Sequence, residues 1–536
     1  MSSPRGRGPI VLALAVALVV SSCSGGSKHR ATSGASTLLP AASGSVTSSS
    51  SEESSPAVAD STIAGSAGGA RTPTVGSTKK PPAVVGVAGA RTAGDVLFPA
   101  LGNGGYDVTH YDLALDWHQT PPQLVAVATI DAIATESLSA FSLDFTGLDI
   151  DAVTVDGSAA EARSVDEKLD VTLAKSIVKG AKFSTIVRYH GDPGLSHGGA
   201  RIRTGWFTVP DGAYTLDEPD GAHHWFPSND HPSDKATFTF HVTVDAGQNA
   251  VANGRETART AQAGRVTITS QATEPMAPYL AVVAIGPYSV TSGPGPHRTT
   301  LRDVVPANGP VPPGSFLPSI GSQIDFFEQR FGPLPFDSYG VLLAPSQPVL
   351  ALETQTLSTL SAADYPGPPD VNPGDPANDL ADEVRAHELA HQWFGDAVTP
   401  STWRDIWLSE GFATYAQWLW ASRDDSSILD ERAEAARLHS VSVRAQYGAT
   451  DDPSATNLFS PSVYDEGAMV LHALRADMGD ALFFRLLQDW VDGHRYGTGS
   501  TEAFIALASK DAGHDEAALL HLWLSSMDPL PAFPGS

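Results

Sequence analysis

The chain reads as a multidomain α+β protein, an antiparallel β domain followed by a mainly helical one, and three observations carry that reading. From Tyr106 to about residue 285, apolar residues alternate with polar ones in short runs separated by turn residues. From about residue 316 the apolar spacing becomes helical. The first 95 residues show neither pattern. At 536 residues with 41% hydrophobic content, the chain is long enough for two or three domains with ordinary cores.

Taken in order, residues 1–22 carry Arg5 and Arg7, then an apolar stretch over 9–20, then small residues. This is the pattern of a secretory signal, too short for a membrane span. Cys23, the only cysteine, stands directly after Val20-Ser21-Ser22 and has nothing in the chain to pair with. That placement resembles the lipobox of bacterial lipoproteins, in which the cysteine is acylated after cleavage. It implies an exported protein anchored by lipid to the outer face of the cell membrane; the other reading is a secreted protein. Residues 24–94 are rich in Ser, Gly, Ala, Thr and Pro and nearly free of aromatics, so they are expected to be a disordered stalk. Its roughly 70 residues reach on the order of 45 Å as a flexible coil.

The first 94 residues hold eight basic against three acidic residues, so the chain's net charge of −27 becomes −32 for the rest. A folded part this acidic argues against a nucleic-acid partner. The β domain is assigned to 96–295, with Tyr111, Leu113, Leu115 and Trp117 on one face of its first long strand and its last strands at 238–244, 266–270 and 279–285. The second domain is assigned to 296–536. It starts with a helix at 316–331, a strand at 340–344 and a strand at 349–354, then a proline-rich loop at 365–376. Two site-bearing helices and three or four more follow, to about residue 523.

The chemistry centres on His387-Glu388-Leu389-Ala390-His391. Four residues on a helix turn through about 400° and rise about 6 Å, so His387 and His391 point at one place and can grip one ion. Glu388 lies beside them, suited to take a proton from a metal-bound water. Glu410, after eighteen intervening residues, supplies a third ligand if the chain turns through 396–402 and brings a second helix back. Three ligands leave one position for water, whose pKa falls to roughly 7 on zinc. By itself the run also suits a surface helix that happens to carry two histidines and a glutamate.

The flanks argue against that reading. Gln392-Trp393-Phe394-Gly395 follows the second histidine, and Trp407-Leu408-Ser409-Glu410-Gly411-Phe412-Ala413 surrounds the distant glutamate. With these flanks the chain resembles the aminopeptidase N family of gluzincin metallopeptidases, which includes the leukotriene hydrolase relatives, over about 106–531. The resemblance implies a saddle-like β sandwich, a thermolysin-like catalytic domain, one zinc ion, and peptide substrates with a free N-terminus. It assigns His387, His391 and Glu410 to zinc, Glu388 to the general base, and Tyr464, in a segment similar to the family's Y-x-K-G-A, to the oxyanion. Glu466 stands there in place of the usual lysine. Glu353 and Ala351 fall where the family has G-A-M-E-N, and Glu218 falls in a T-Q-x-E-P-like loop. These are the residues expected to hold the substrate amine and backbone. The segment 224–238, with His231 and Ser228 replacing a glutamate and a cysteine, is expected to pack the β domain onto the catalytic one. His110, His197, His439 and His472 are read as surface or packing residues. A monomer is expected. Larger relatives carry a further helical domain for which this chain has no residues left, which implies a less enclosed site mouth. A thermolysin-type endopeptidase and a non-catalytic binding protein on the same scaffold are the rival readings.

Overall fold

A computed structural model describes residues 85–198, 202–345, 351–362 and 376–535. The expected signal, Cys23 and nearly all of the expected stalk lie outside these residues, as does the expected proline-rich loop apart from Pro376, which opens a helix.

The first domain is built on an eight-stranded sheet. Its strands run in the order Arg255–Gln262, Arg265–Met276, Ala236–Asp245, Tyr106–Gln119, Pro122–Ala134, Lys182–Gly191, Asp149–Val155 and Ser158–Ala159. Neighbours are antiparallel except Ala236–Asp245 on Tyr106–Gln119, which run parallel. The alternation expected along Tyr106–Gln119 is present: Tyr111, Leu113, Leu115 and Trp117 are buried and the residues between them half-exposed. The inner face packs on a second sheet that includes Leu138–Asp144 and Lys168–Ile177, with the Tyr106 and Phe141 rings edge to face at 5.6 Å. Within the second sheet a buried Asp144–Lys168 ion pair is satisfied by Asn103 and by the Asp230 N–H. Removing one partner of such a pair costs about 3–5 kcal/mol.

Two boundaries differ from expectation. The run 279–285 is not one strand: Pro278–Leu280 forms a 3-10 turn and the strand is Val283–Gly286. Proline fixes its own φ and has no N–H for a ladder, so the strand begins beyond it. The change of sheet also comes before residue 295. Tyr288–Pro294 pairs with Thr300–Pro306, which runs parallel to Ser338–Ala344, so both belong to the second domain's five-stranded sheet. The residues around 295, where the first domain was expected to end, thus form a hairpin of that sheet.

The remaining strands of this sheet are Ser358–Ser361 and, at the edge, Ala351–Leu352, which ends two residues short of the end of the strand expected at 349–354; residues 349 and 350 lie outside the described residues. Helices follow: α1 Leu317–Phe331, α2 Pro376–Ala390, α3 Trp407–Ala421, α4 Ser427–Tyr447, α5 Asp465–Met478, α6 Asp480–His494, α7 Thr501–Ala512 and α8 Ala517–Ser525. Five rather than three or four thus follow α3 among the described residues. None is long and apolar enough to cross a membrane.

The two domains are clamped by the segment expected to do so. Lys235 Nζ donates to three carbonyls of the second domain, those of Asp396 at 2.7 Å, Ala397 at 3.2 Å and Gly497 at 3.2 Å. His231 lies 3.3 Å from the Asp95 carboxylate, whose same oxygen accepts the Trp403 N–H at 2.8 Å. The histidine that replaces the family's glutamate therefore has an acidic partner of its own.

Candidate active site

The site grows from the end of α2. His387 and Glu388 lie in its last turn, and His391 follows immediately after the helix, still joined by its N–H to the His387 carbonyl at 3.3 Å. The chain then turns through Gly395, a short strand Val398–Pro400 and a 3-10 turn Trp403–Asp405 into α3, which presents Glu410 in its first turn. Trp393 and Phe394 hold this turn against α1: Trp393 Nε1 donates to the Gly332 carbonyl at 3.0 Å, and the Phe394 ring lies edge to face on Phe331 at 5.1 Å.

Two close approaches depend on missing side chains. Gly395 has φ of 125°, and a Cβ there would stand 2.4 Å from Ser409 Oγ and 3.1 Å from His391 Nδ1. Where α3 crosses α5, a Cβ on Gly411 would lie 2.8 Å from the Gly467 Cα. That glycine contact brings Tyr464, the residue before α5, down onto Glu410: the Tyr464 hydroxyl donates to Glu410 Oε1 at 2.7 Å, and its ring lies parallel to His387.

His387, His391 and Glu410 converge as expected. Their Nε2 atoms stand 3.2 Å and 3.5 Å from Glu410 Oε2. Those are the edges of a tetrahedron around an ion with bonds of about 2.0–2.1 Å, the zinc–nitrogen and zinc–oxygen range. His391 Nδ1 is 3.0 Å from both the Phe394 carbonyl and Ser409 Oγ. A proton on Nδ1, donated to that carbonyl, leaves the Nε2 lone pair for a metal. Glu353 first, with Glu410 and Glu388, raises the His391 imidazole to about 10 against the effect of burial. A buried histidine drawn toward positive charge by three carboxylates marks a place that calls for a cation, and the imidazole–carboxylate donor set suits zinc. Glu410, despite burial, is held down at about 2 by His387 and His391.

A second group of acids lies beside the first. Glu353 follows the edge strand Ala351–Leu352, and Glu218 follows the strand Gly212–Leu216 of the first domain. Glu353 Oε1, Glu218 Oε1 and Glu388 Oε2 are all shielded from solvent without a hydrogen-bond partner. Burial raises all three carboxyls, Glu353 to about 7. Glu353, Glu410, Glu388 and Asp396 each push Glu218 further up, so the two domains place their acids in one cluster. Three neighbouring carboxylates with unmet oxygens are costly unless a cation joins them. Ala351 is half-buried and belongs to the outermost strand of its sheet, which leaves a strand edge for an extended chain to pair with.

Three supporting residues were not singled out from the sequence. Gln392 donates to the Glu353 carbonyl at 3.2 Å and accepts from the Thr356 N–H at 2.8 Å, locking the edge strand to the metal turn. Ser409 orients His391. Asp396 lies buried, both oxygens without partners. The first two sit inside the motif flanks, where a polar residue adjoining a ligand is the available signal. Glu466, the departure from lysine, forms a buried ion pair with Arg444 of α4, whose Nη2 also donates to the Trp523 carbonyl at 2.6 Å. It ties α5 to α4 and α8 rather than entering the site.

Residues 108–280 match the Peptidase M1 N-terminal domain and residues 318–523 the Peptidase family M1 domain. The M1 zinc metallopeptidase of Deinococcus radiodurans, solved in a mutant form bound to a Tyr-Ser-Ala substrate, is 34% identical with a TM-score of 0.73, covering 83% of this chain and 99% of its own. Aminopeptidase 2 of Candida albicans is 25% identical over 440 residues, 78% of this chain and 47% of its own length. Aminopeptidase N of Streptomyces lividans is 25% identical over 456 residues, 78% of this chain and 50% of its own length. The chain thus spans about half the length of these two curated relatives.

Proposed function

The chain belongs to peptidase family M1 by both of its domains, and from that premise we propose that it is a zinc aminopeptidase removing N-terminal residues from peptides. The observation that carries the choice of an aminopeptidase is the pair of buried, unpartnered oxygens on Glu218 and Glu353, set beside the metal ligands. A free α-ammonium supplies the positive charge and the donors these oxygens lack.

His387, His391 and Glu410 would hold the zinc. When bound, zinc polarises the scissile carbonyl and lowers the pKa of water. The chain's own residues do the rest. Glu218 and Glu353 fix the ammonium, and the edge strand at Ala351 aligns the peptide backbone. Glu388, made a stronger base by burial, accepts the proton of the attacking water and delivers it to the departing amine. The Tyr464 hydroxyl, which burial keeps protonated, donates to the oxygen that gains charge.

Purified protein with one zinc at this site, given the same peptide amide with a free and with an acetylated N-terminus, should cleave only the free one. Equal cleavage of both would move the assignment to an endopeptidase. We further take the protein to be an exported monomer anchored to the outer face of the membrane by lipid on Cys23. Metabolic labelling with a fatty acid should mark the wild type and not Cys23→Ala, and labelling of neither would leave a secreted protein.

A further inference from the structure

Far from the catalytic zinc ligands, a second set of donors converges. Asp477 lies in the last turn of α5, and His514 and Glu516 lie in the connection between α7 and α8. Tyr464 and Asp477 bracket α5, so the two places are about 20 Å apart along a helix rising 1.5 Å per residue. His514 Nε2 stands 3.2 Å from Asp477 Oδ2 and 3.0 Å from Glu516 Oε1, and the three donor atoms all lie within 4.8 Å of one another. These edges match the 3.2 Å and 3.5 Å edges of the catalytic triad in the same molecule. They suit bonds of about 2.0–2.2 Å from imidazole and carboxylate to zinc.

The second observation is Glu516 itself. It is only 1% exposed, and its Oε1 has no hydrogen-bond partner: His514 is near enough but not aligned. Among the described residues neither Asp477 nor Glu516 forms an ion pair with lysine or arginine, since Lys510 reaches Asp511 instead. Gly513, in the left-handed region at φ 78°, ends α7 and turns the chain so that His514 and Glu516 face Asp477. The Glu516 N–H is tied to Ser509 Oγ at 3.0 Å. A buried carboxylate beside a second carboxylate, with no fixed cation, is stabilised by a bound one. The Asp477 and His514 side chains are 33% and 56% exposed, so an ion can enter from solvent and keep water as its remaining ligand.

We propose that Asp477, His514 and Glu516 form a second zinc(II) site, independent of catalysis, that joins the end of α5 to the α7–α8 connection. Asp477 lies 37 residues before His514, so no local spacing motif announces the three together.

The full protein, equilibrated with micromolar zinc and freed of excess by gel filtration, should carry two zinc ions by elemental mass spectrometry. Asp477→Asn and His514→Ala should each carry one, with peptidase activity within about twofold of wild type. His391→Ala, which removes the catalytic ion, should also retain one, and zinc should still raise its melting temperature. In the His391→Ala, His514→Ala double variant both the ion and the shift should vanish. One zinc in the wild type, or two retained in both Asp477→Asn and His514→Ala, overturns the proposal and leaves a protonated histidine between two acids.

Discussion

On the metal side of the active site most donors have a partner: His391 meets the Phe394 carbonyl and Ser409, Glu410 meets both histidines and Tyr464, and His387 Nδ1 is the exception. On the amine side, Glu218 and Glu353 each keep a buried oxygen with none. The metal side is preorganised by its own neighbours, and the amine side waits for charge that only a ligand brings. The two sides therefore fail differently when altered.

The largest effect falls on the metal side. His391→Ala should lose the catalytic zinc and bring peptidase activity below detection; elemental analysis and turnover, measured on the same sample, would break the comparison if activity survived without that ion. Next, Glu388→Gln should keep zinc and lower kcat by about 10²–10⁴-fold, the usual worth of general acid–base catalysis. A comparable loss of bound zinc would instead make Glu388 a structural ligand neighbour.

The amine side should show a two-signed response. Glu353→Gln should lower kcat/KM on free-amine substrates by about 2–5 kcal/mol, the range for truncating one partner of a buried charge pair. In zinc-free, substrate-free protein the same change should stabilise the fold at alkaline pH. Burial raises the Glu353 carboxyl from its ordinary 4.5 to about 7. Below about pH 4.5 it is protonated in both folded and unfolded chains and has no effect. As pH rises toward 7 the unfolded chain ionises first, so the fold loses up to about 3 kcal/mol, a loss complete above pH 7. Urea titrations at pH 4.5 and pH 8 should show the variant gaining only at the higher pH; a loss there would show that the carboxylate already has a partner. The smallest effect is expected for Ser409→Ala. Removing an outer partner of a ligating histidine costs about 10–100-fold in metal affinity, readable by competition with a chelator.

What could be read in advance follows the same division. His387, Glu388 and His391 lie within one helical turn and its exit, so helix geometry alone set their common direction. Glu410 required only that the chain return, and Gly395 stands where it comes close to Ser409 and His391. Glu353 and Glu218 carried no such local sign. They stand on different sheets, and only the family resemblance singled them out. The limits expected near 279–295 differ because Pro278 opens a turn and the residues around 295 close a hairpin, and apolar alternation separates neither from a strand or a domain end. Sequence spacing is likewise blind to His514 meeting Asp477 across a helix connection.

The amino-acid sequence by itself determined the β-then-α order and the common placing of His387, Glu388 and His391, because strand alternation and helix pitch are short-range properties of the chain. Tertiary structure alone decided that Glu218 joins Glu353 across the domain junction clamped by Lys235, that Glu466 pairs with Arg444 where the family has lysine, and that Asp477, His514 and Glu516 converge. Each of these depends on burying charge at a contact between distant segments, and the free energy of such a contact exists only once the segments have packed.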